Sequence, residues 1–175
     1  GWVGMPDVGE AGPRVVQAYL RAFGPAKPEQ IHDWLGAGLG VKRKAIAGWL
    51  DGLAGRLATI AIEREPALVL RDDLEELEAS RPSAAVRLLP GRDPWVMGTG
   101  TDDPHVVPPA RREPISRSAN LVVARGVVAG TWTIREGRLG ITWFGEAGKV
   151  PRAALAEECA RLSSFLDRPL ELSVA

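Results

Sequence analysis

Three adjacent cations, Lys42, Arg43 and Lys44, precede a run whose apolar residues recur at helix spacing: Ala45, Ile46, Trp49, Leu50 and Leu53. Cations at the start of a helix oppose its dipole by about 0.3–1 kcal/mol each, so stability does not explain them. At the start of a recognition helix they would meet phosphates and base edges of DNA. A solvated helix start, or packing against a domain not contained in this chain, are the alternatives. Arg64 lies between two apolar strand-like runs, where a hairpin tip could touch phosphate. It is flanked by Glu63 and Glu65, so that tip is net negative. Arg111, Arg112, Arg117 and Arg125 fall in a stretch opposed by Glu113 alone. Arginine suits bidentate phosphate contacts, and the alternative is pairing with Asp93, Asp102 and Asp103. The candidate DNA-contacting set is therefore Lys42, Arg43, Lys44, Arg64, Arg111, Arg112 and Arg117.

Other chemistry finds little support. Asp102-Asp103-Pro104-His105 has metal-ligand residue types, but one histidine beside two carboxylates reads as a surface turn. His32 stands alone. Cys159 lies on an apolar helical stripe and reads as a core thiol. No phosphate loop, dinucleotide fingerprint or nucleophile elbow occurs, and Thr99-Gly100-Thr101 reads as a turn. No metal, no cofactor and no catalytic residue is expected in this chain. Six tryptophans could stack on bases, but Trp34, Trp49, Trp132 and Trp143 fall on expected buried faces.

The elements that must hold these residues follow from period and punctuation. The 175 residues carry 22 basic and 22 acidic side chains, 45% apolar residues and a single cysteine. This is an ordinary globular composition with no apolar run long enough to span a membrane. One cysteine allows no internal disulfide, which fits a cytoplasmic protein. Zero formal charge means that any DNA contact must come from a local patch. The basic residues are 18 arginines and 4 lysines, and alanine, glycine and proline are abundant, as in a GC-rich bacterial genome. The start Gly1-Trp2-Val3-Gly4 suggests a C-terminal piece of a longer protein.

Residues 13–78 read as helical at first. One helix runs from Pro13 through Phe23, a second opens at Lys27-Pro28-Glu29 and stops at Gly36, and a third spans about 41–53 after a glycine-rich turn over 36–40. Residues 57–62 and 67–70 read as a β-hairpin around Glu63-Arg64-Glu65-Pro66. Asp72 would cap a short acidic helix. Three helices and a hairpin make the order of a winged helix, with the second and third helices as its helix-turn-helix. From Ser83 the period becomes two. Strands are expected at 86–89, 95–97, 121–124, 127–134, 139–143 and 170–174, with a turn-rich stretch over 98–114 and a helix opening at Pro151. The fold class is α+β: a winged helix over 1–80, then a small antiparallel β-barrel-like domain over 81–175 with one packed helix.

In order along the chain stand Tyr19-Leu20-Arg21-Ala22-Phe23-Gly24-Pro25-Ala26, Asp33-Trp34-Leu35, Val86-Arg87-Leu88-Leu89-Pro90-Gly91-Arg92-Asp93 and Val127-Val128-Ala129-Gly130-Thr131-Trp132. This set resembles the bacterial winged-helix DNA-binding proteins related to AlkZ (YcaQ-type) DNA glycosylases, from about Trp2 to Leu166. The resemblance implies tandem winged-helix units followed by a β-barrel-like domain, and metal-free excision of alkylated bases, including cross-linked ones, by the glycosylase members. Those members carry a Gln-x-Gln or Gln-x-Asp motif in an N-terminal unit. Here the glutamines are Gln17, followed two places on by Tyr19, and Gln30, followed by His32. Neither fits, and the chain looks closer to relatives described only as DNA-binding.

The expectation is a DNA-binding fragment, the C-terminal half of an AlkZ-like repair protein. It would contact duplex DNA, damaged DNA included, without catalysing chemistry itself, while the full-length protein is a candidate glycosylase. The other reading is a structural scaffold that supports the N-terminal domains of the same protein. A third is a repressor that dimerises through its first helix.

Overall fold

The computed structural model describes residues 4, 6–81 and 83–175. The chain divides into two compact units, one of residues 1–80 with 98–100 and one of residues 81–97 with 101–175. Its class is mixed α+β.

In the first unit, helices α1 (Val8–Phe23), α2 (Pro28–Leu39) and α3 (Arg43–Gly52) precede a hairpin of β1 (Leu57–Ile62) and β2 (Glu65–Leu70). Helix α1 starts five residues before Pro13, the expected start. Asp7 caps it by accepting the Gly9 N–H at 2.7 Å. Pro13 is therefore interior, and its helical φ is tolerated at the loss of one backbone hydrogen bond. Helix α2 also runs longer than expected. Gly36 and Gly38 are helical, and the stop is Gly40, whose φ of 69° is the left-handed C-cap that glycine adopts without a Cβ penalty.

These elements close over Val16, Tyr19, Leu20, Ile31, Leu35, Ile46, Leu57 and Leu70. The apolar stripe of each helix is spent on this core. Phe23 and Trp34 pack as tilted rings beside Tyr19, with ring centroids 5.3 Å (Tyr19–Phe23) and 5.5 Å (Phe23–Trp34) apart. Residues 98–100 complete the unit. The Tyr19 hydroxyl donates to the Gly98 carbonyl, and the Gln30 amide to the Thr99 carbonyl, each at 2.8 Å.

The hairpin pairs Leu57 with Leu70 through Ile62 with Glu65. Its turn is two residues, Glu63 and Arg64, both at positive φ (49° and 77°). Pro66, expected in the turn, lies instead in β2 opposite Ala61. The acidic helix α4 (Leu74–Ala79) follows. Asp72 does not cap it: it belongs to a preceding 3-10 turn and pairs with Arg56 at 3.2 Å.

The second unit is built on a five-stranded sheet: β3 (Val86–Leu89), β4 (Leu121–Ala124), β5 (Val127–Arg135), β6 (Arg138–Trp143) and β7 (Glu171–Val174), side by side in that order. The hairpin turns Arg125-Gly126 and Glu136-Gly137 all have positive φ, which matches the right-handed twist of their strands. Two expectations are corrected. The sheet is open, with β3 and β7 as its edges, and does not close into a barrel. It is also not wholly antiparallel, because β7 runs parallel to β6. Between them lies α7 (Arg152–Phe165), a crossover that returns the chain to the end where β6 began.

Residues expected as a strand over 95–97 form instead a short helix α5 (Pro94–Gly98). Asp93 starts it by accepting the Trp95 N–H at 2.9 Å. The stretch over 98–114 is more than turns. It packs Val106 and Val107 against one face of the sheet, with a 3-10 turn and helix α6 (Arg112–Ser116) behind them. Together with Val96, Ile115, Leu121, Val123 and Val128 they make one core layer. On the sheet's other face Val86, Leu88, Val122, Leu139 and Ile141 pack against Leu155 and Cys159 of α7. The period-two alternation of β4 thus feeds two cores.

The tryptophans expected to be buried are half-buried: Trp34, Trp49, Trp132 and Trp143 pack against the cores with one edge outward. An indole N–H needs an acceptor. Trp132 donates to the Leu89 carbonyl and Trp143 to the Gly148 carbonyl, each at 2.9 Å.

Candidate nucleic-acid interface

Helix α3 is held from below and presents its start to solvent. The turn from α2 is short, Gly40 to Lys42. Lys42 is the N-cap, in extended conformation, and its carbonyl accepts the Ala45 N–H at 2.9 Å. Ile46, one turn on, is fully buried, and Trp49 packs beside it. Side chains three and four apart share a face, so Lys44 lies opposite Ile46, while Lys42 and Arg43 precede the buried stripe at the very start of the helix. All three are exposed, and none makes an ion pair or side-chain hydrogen bond among the described residues. No side chain caps this helix start.

Arg64 is exposed at the hairpin tip. Glu65 beside it is bound to Lys27. The remaining arginines separate into different roles. Arg111 is corrected as a candidate for DNA contact. Its side chain is 10% exposed, its guanidinium donates to the Val128 carbonyl at 2.6 Å, and it pairs with Glu146 at 3.1 Å. It ties the 3-10 turn to the sheet. Arg112 pairs with Asp102 at 3.3 Å and also donates to its carbonyl. Arg117 pairs with Glu113 one helical turn back, at 2.7 Å. Arg112 and Arg117 stay at the surface with carboxylate partners. Asp103 is bound to His105 at 2.8 Å, so the carboxylates of this turn are paired with neighbouring protein groups, Asp103 with His105 and Asp102 with Arg112.

The glutamines are both engaged. Gln17 donates to the Pro13 carbonyl at 3.1 Å within α1. Gln30 accepts the Lys27 N–H at 2.8 Å and so closes the first turn of α2.

One buried polar group escaped sequence reading. Glu158, on the apolar side of α7, is 2% exposed. It accepts the Leu88 N–H at 3.0 Å and two bonds from Arg161, at 2.6 and 2.7 Å. Burial pushes its carboxyl up, but the Arg161 hydrogen bonds, the Leu88 N–H and the charges of Arg161 and Arg87 outweigh that and hold it below the ordinary range. Its helical phase beside Cys159 was the available signal. Burial pushes the Cys159 thiol up, as for a core cysteine. No helix among the described residues is long and apolar enough to cross a membrane.

Comparison with known proteins adds the family. The description "DNA glycosylase AlkZ-like" matches residues 2–165, so the likeness runs through nearly the whole chain. An interstrand DNA cross-link repair glycosylase of Streptomyces sahachiroi is 36% identical over 166 residues, covering 93% of this chain and 44% of that protein. The solved structure of Streptomyces sahachiroi DNA glycosylase AlkZ superposes with a TM-score of 0.91 at 32% identity, over 99% of this chain and 48% of that one. The chain thus spans about half the length of these relatives. With this agreement in sequence and fold, the chain belongs to the AlkZ-like DNA glycosylase family.

Proposed function

We propose that the first unit is a winged helix that binds duplex DNA in the service of repair, with α2 and α3 as its helix-turn-helix and the β1–β2 hairpin as its wing. The observation that carries this reading is the start of α3. Three exposed cations without protein partners among the described residues stand at the start of a helix that Ile46 and Trp49 anchor further along. Such a group is unfavourable at a helix N-terminus in isolation and favourable against phosphate. Arg64 is a secondary contact, and Arg112 and Arg117 would contribute only by exchanging their carboxylate partners for phosphate.

Within this reading the chain does not itself excise a base. Both glutamines are bonded to backbone partners, and neither stands in a Gln-x-Gln or Gln-x-Asp pattern. The cross-link repair named for the Streptomyces relative would draw on residues beyond those of this chain. Incubating the purified chain with an alkylated duplex should release no free base; release would overturn this part.

The test of DNA contact is a salt titration by fluorescence anisotropy. Replacing Lys42, Arg43 and Lys44 with alanine leaves the apolar face of α3 intact. The slope of log K against log salt should shrink by up to about 3, roughly 0.9 for each phosphate no longer neutralised. Equal slopes would remove α3 from the interface. A scaffold that supports other domains without touching DNA is the second reading, favoured by the acidic flanks of Arg64 and the zero formal net charge of the chain. It predicts weak binding and equal slopes.

A further inference from the structure

The second unit holds a groove of about 690 Å³ whose floor includes Ala124, Val150 and Ala154 and whose charged lining is Arg125, Lys149 and Arg152. Three separate elements supply the charges: the β4–β5 turn, the approach to α7 and the first residue of α7. No acidic residue lines the groove. All three cations are exposed, and their side chains have no ion-pair or hydrogen-bond partner among the described residues. Arg135 and Arg168 of this unit are likewise without a carboxylate partner among the described residues, but six other arginines are paired. Arg87, Arg111, Arg112, Arg117, Arg138 and Arg161 each lie against a carboxylate. Three like charges in one groove repel each other, and no carboxylate among the described residues is paired with them to offset that repulsion.

We infer that this groove is a second binding site for the sugar–phosphate backbone of duplex DNA, apart from α3. This rests on the proposed DNA-binding function. The occupant follows from charge and shape. A polyanion neutralises several cations at once and gains by releasing its counterions. Arg125 and Arg152 offer planar forks for phosphate oxygens, and Lys149 a mobile point charge. Between the cations the apolar lining, Ala124, Val150 and Ala154 among it, suits the carbon–hydrogen face of deoxyribose between successive phosphates.

The experiment compares three proteins in the same anisotropy salt series with one blunt-ended duplex: the intact chain, Arg125→Ala/Lys149→Ala/Arg152→Ala, and Lys42→Ala/Arg43→Ala/Lys44→Ala. The groove variant should lose up to about 3 units of salt slope, roughly 0.9 per phosphate released. An unchanged slope overturns the inference. Loss in the α3 variant alone leaves the proposed function standing without the groove. Loss in the groove variant alone does the reverse, and no binding by the intact chain overturns both. If a polyglutamate peptide binds the intact chain and the groove variant loses only that, the groove takes an acidic protein and the assignment to DNA fails. A measurement independent of folding in the variant is the Nε–Hε NMR resonances of Arg125 and Arg152 in the intact chain. They should shift when duplex is added; resonances that stay in place overturn the inference.

Discussion

The carboxylate of Glu158 on α7 accepts the backbone N–H of Leu88 on edge strand β3 at 3.0 Å. A sheet edge carries unpaired N–H groups that must be satisfied or solvated. Here a helix covers the edge, and one buried carboxylate serves as the partner. Arg161 and Arg87 keep it ionised from the solvent side, at 2.6 and 3.6 Å.

Glu158→Ala should therefore cost about 1–3 kcal/mol, since it leaves the Leu88 N–H buried without an acceptor. Glu158→Gln keeps an acceptor and should cost less. The folded carboxyl lies below its ordinary value of 4.5. Its contribution is then complete above that value and disappears as pH falls through the depressed folded value. Denaturant titrations from neutral to acid pH should show this loss in the intact chain and a flatter profile in Glu158→Gln. An unchanged profile would mean the ion pair does not control acid stability.

Gly12 on α1 lies directly against the indole of Trp49 on α3: a Cβ there would lie 1.9 Å from its Cε2. Alanine normally favours a helix interior by roughly 1 kcal/mol over glycine. Here the clash should win, and Gly12→Ala should destabilise by about 1–3 kcal/mol, as overpacking does. In a double-mutant cycle, Trp49→Leu should recover part of that loss. Thermal melts of the four proteins decide it, and additive losses would mean that the two residues are not coupled.

Arg64 holds a left-handed conformation at φ 77° on the hairpin tip. Arg64→Gly should raise stability by up to about 1 kcal/mol, since glycine adopts that region freely. If the tip touches phosphate, the same substitution lowers the salt slope by about 0.9. Calorimetry and anisotropy on one variant separate the two effects.

Arg111 and its neighbours should part company. Arg111→Ala removes the donor to Val128 and leaves Glu146 unpaired, costing about 1.5–3 kcal/mol. Arg112→Ala and Arg117→Ala remove exposed pairs and should each cost under about 1 kcal/mol. Any loss of salt slope from the latter two then reports DNA contact and not folding. A near-neutral Arg111→Ala would return Arg111 to the surface candidates.

Local chemistry is legible along one dimension. The three-helix start, the hairpin, the alternation in β5 and β6 and the basic start of α3 all depend on residues within about ten positions of each other, so their spacing alone reveals them. The motif set around Tyr19-Leu20 and Gly130-Thr131-Trp132 carried the family in the same way, and the comparisons bear out that family. What depends on distant partners was not legible. Arg111 and Arg112 are neighbours in sequence, yet Arg111 faces Val128 and Glu146 and is buried, while Arg112 faces Asp102 at the surface. Val106 and Val107 lie in a proline-rich stretch with no period, and become core because the sheet offers them an apolar face. The direction of β7 followed from α7 crossing back along the sheet, which no residue in β7 encodes. Lys149 and Arg152 meet Arg125 across about 25 positions of sequence. Hydrophobic period is a local property, but the partner of a charge is chosen by which elements pack together, and that is settled only when the cores close.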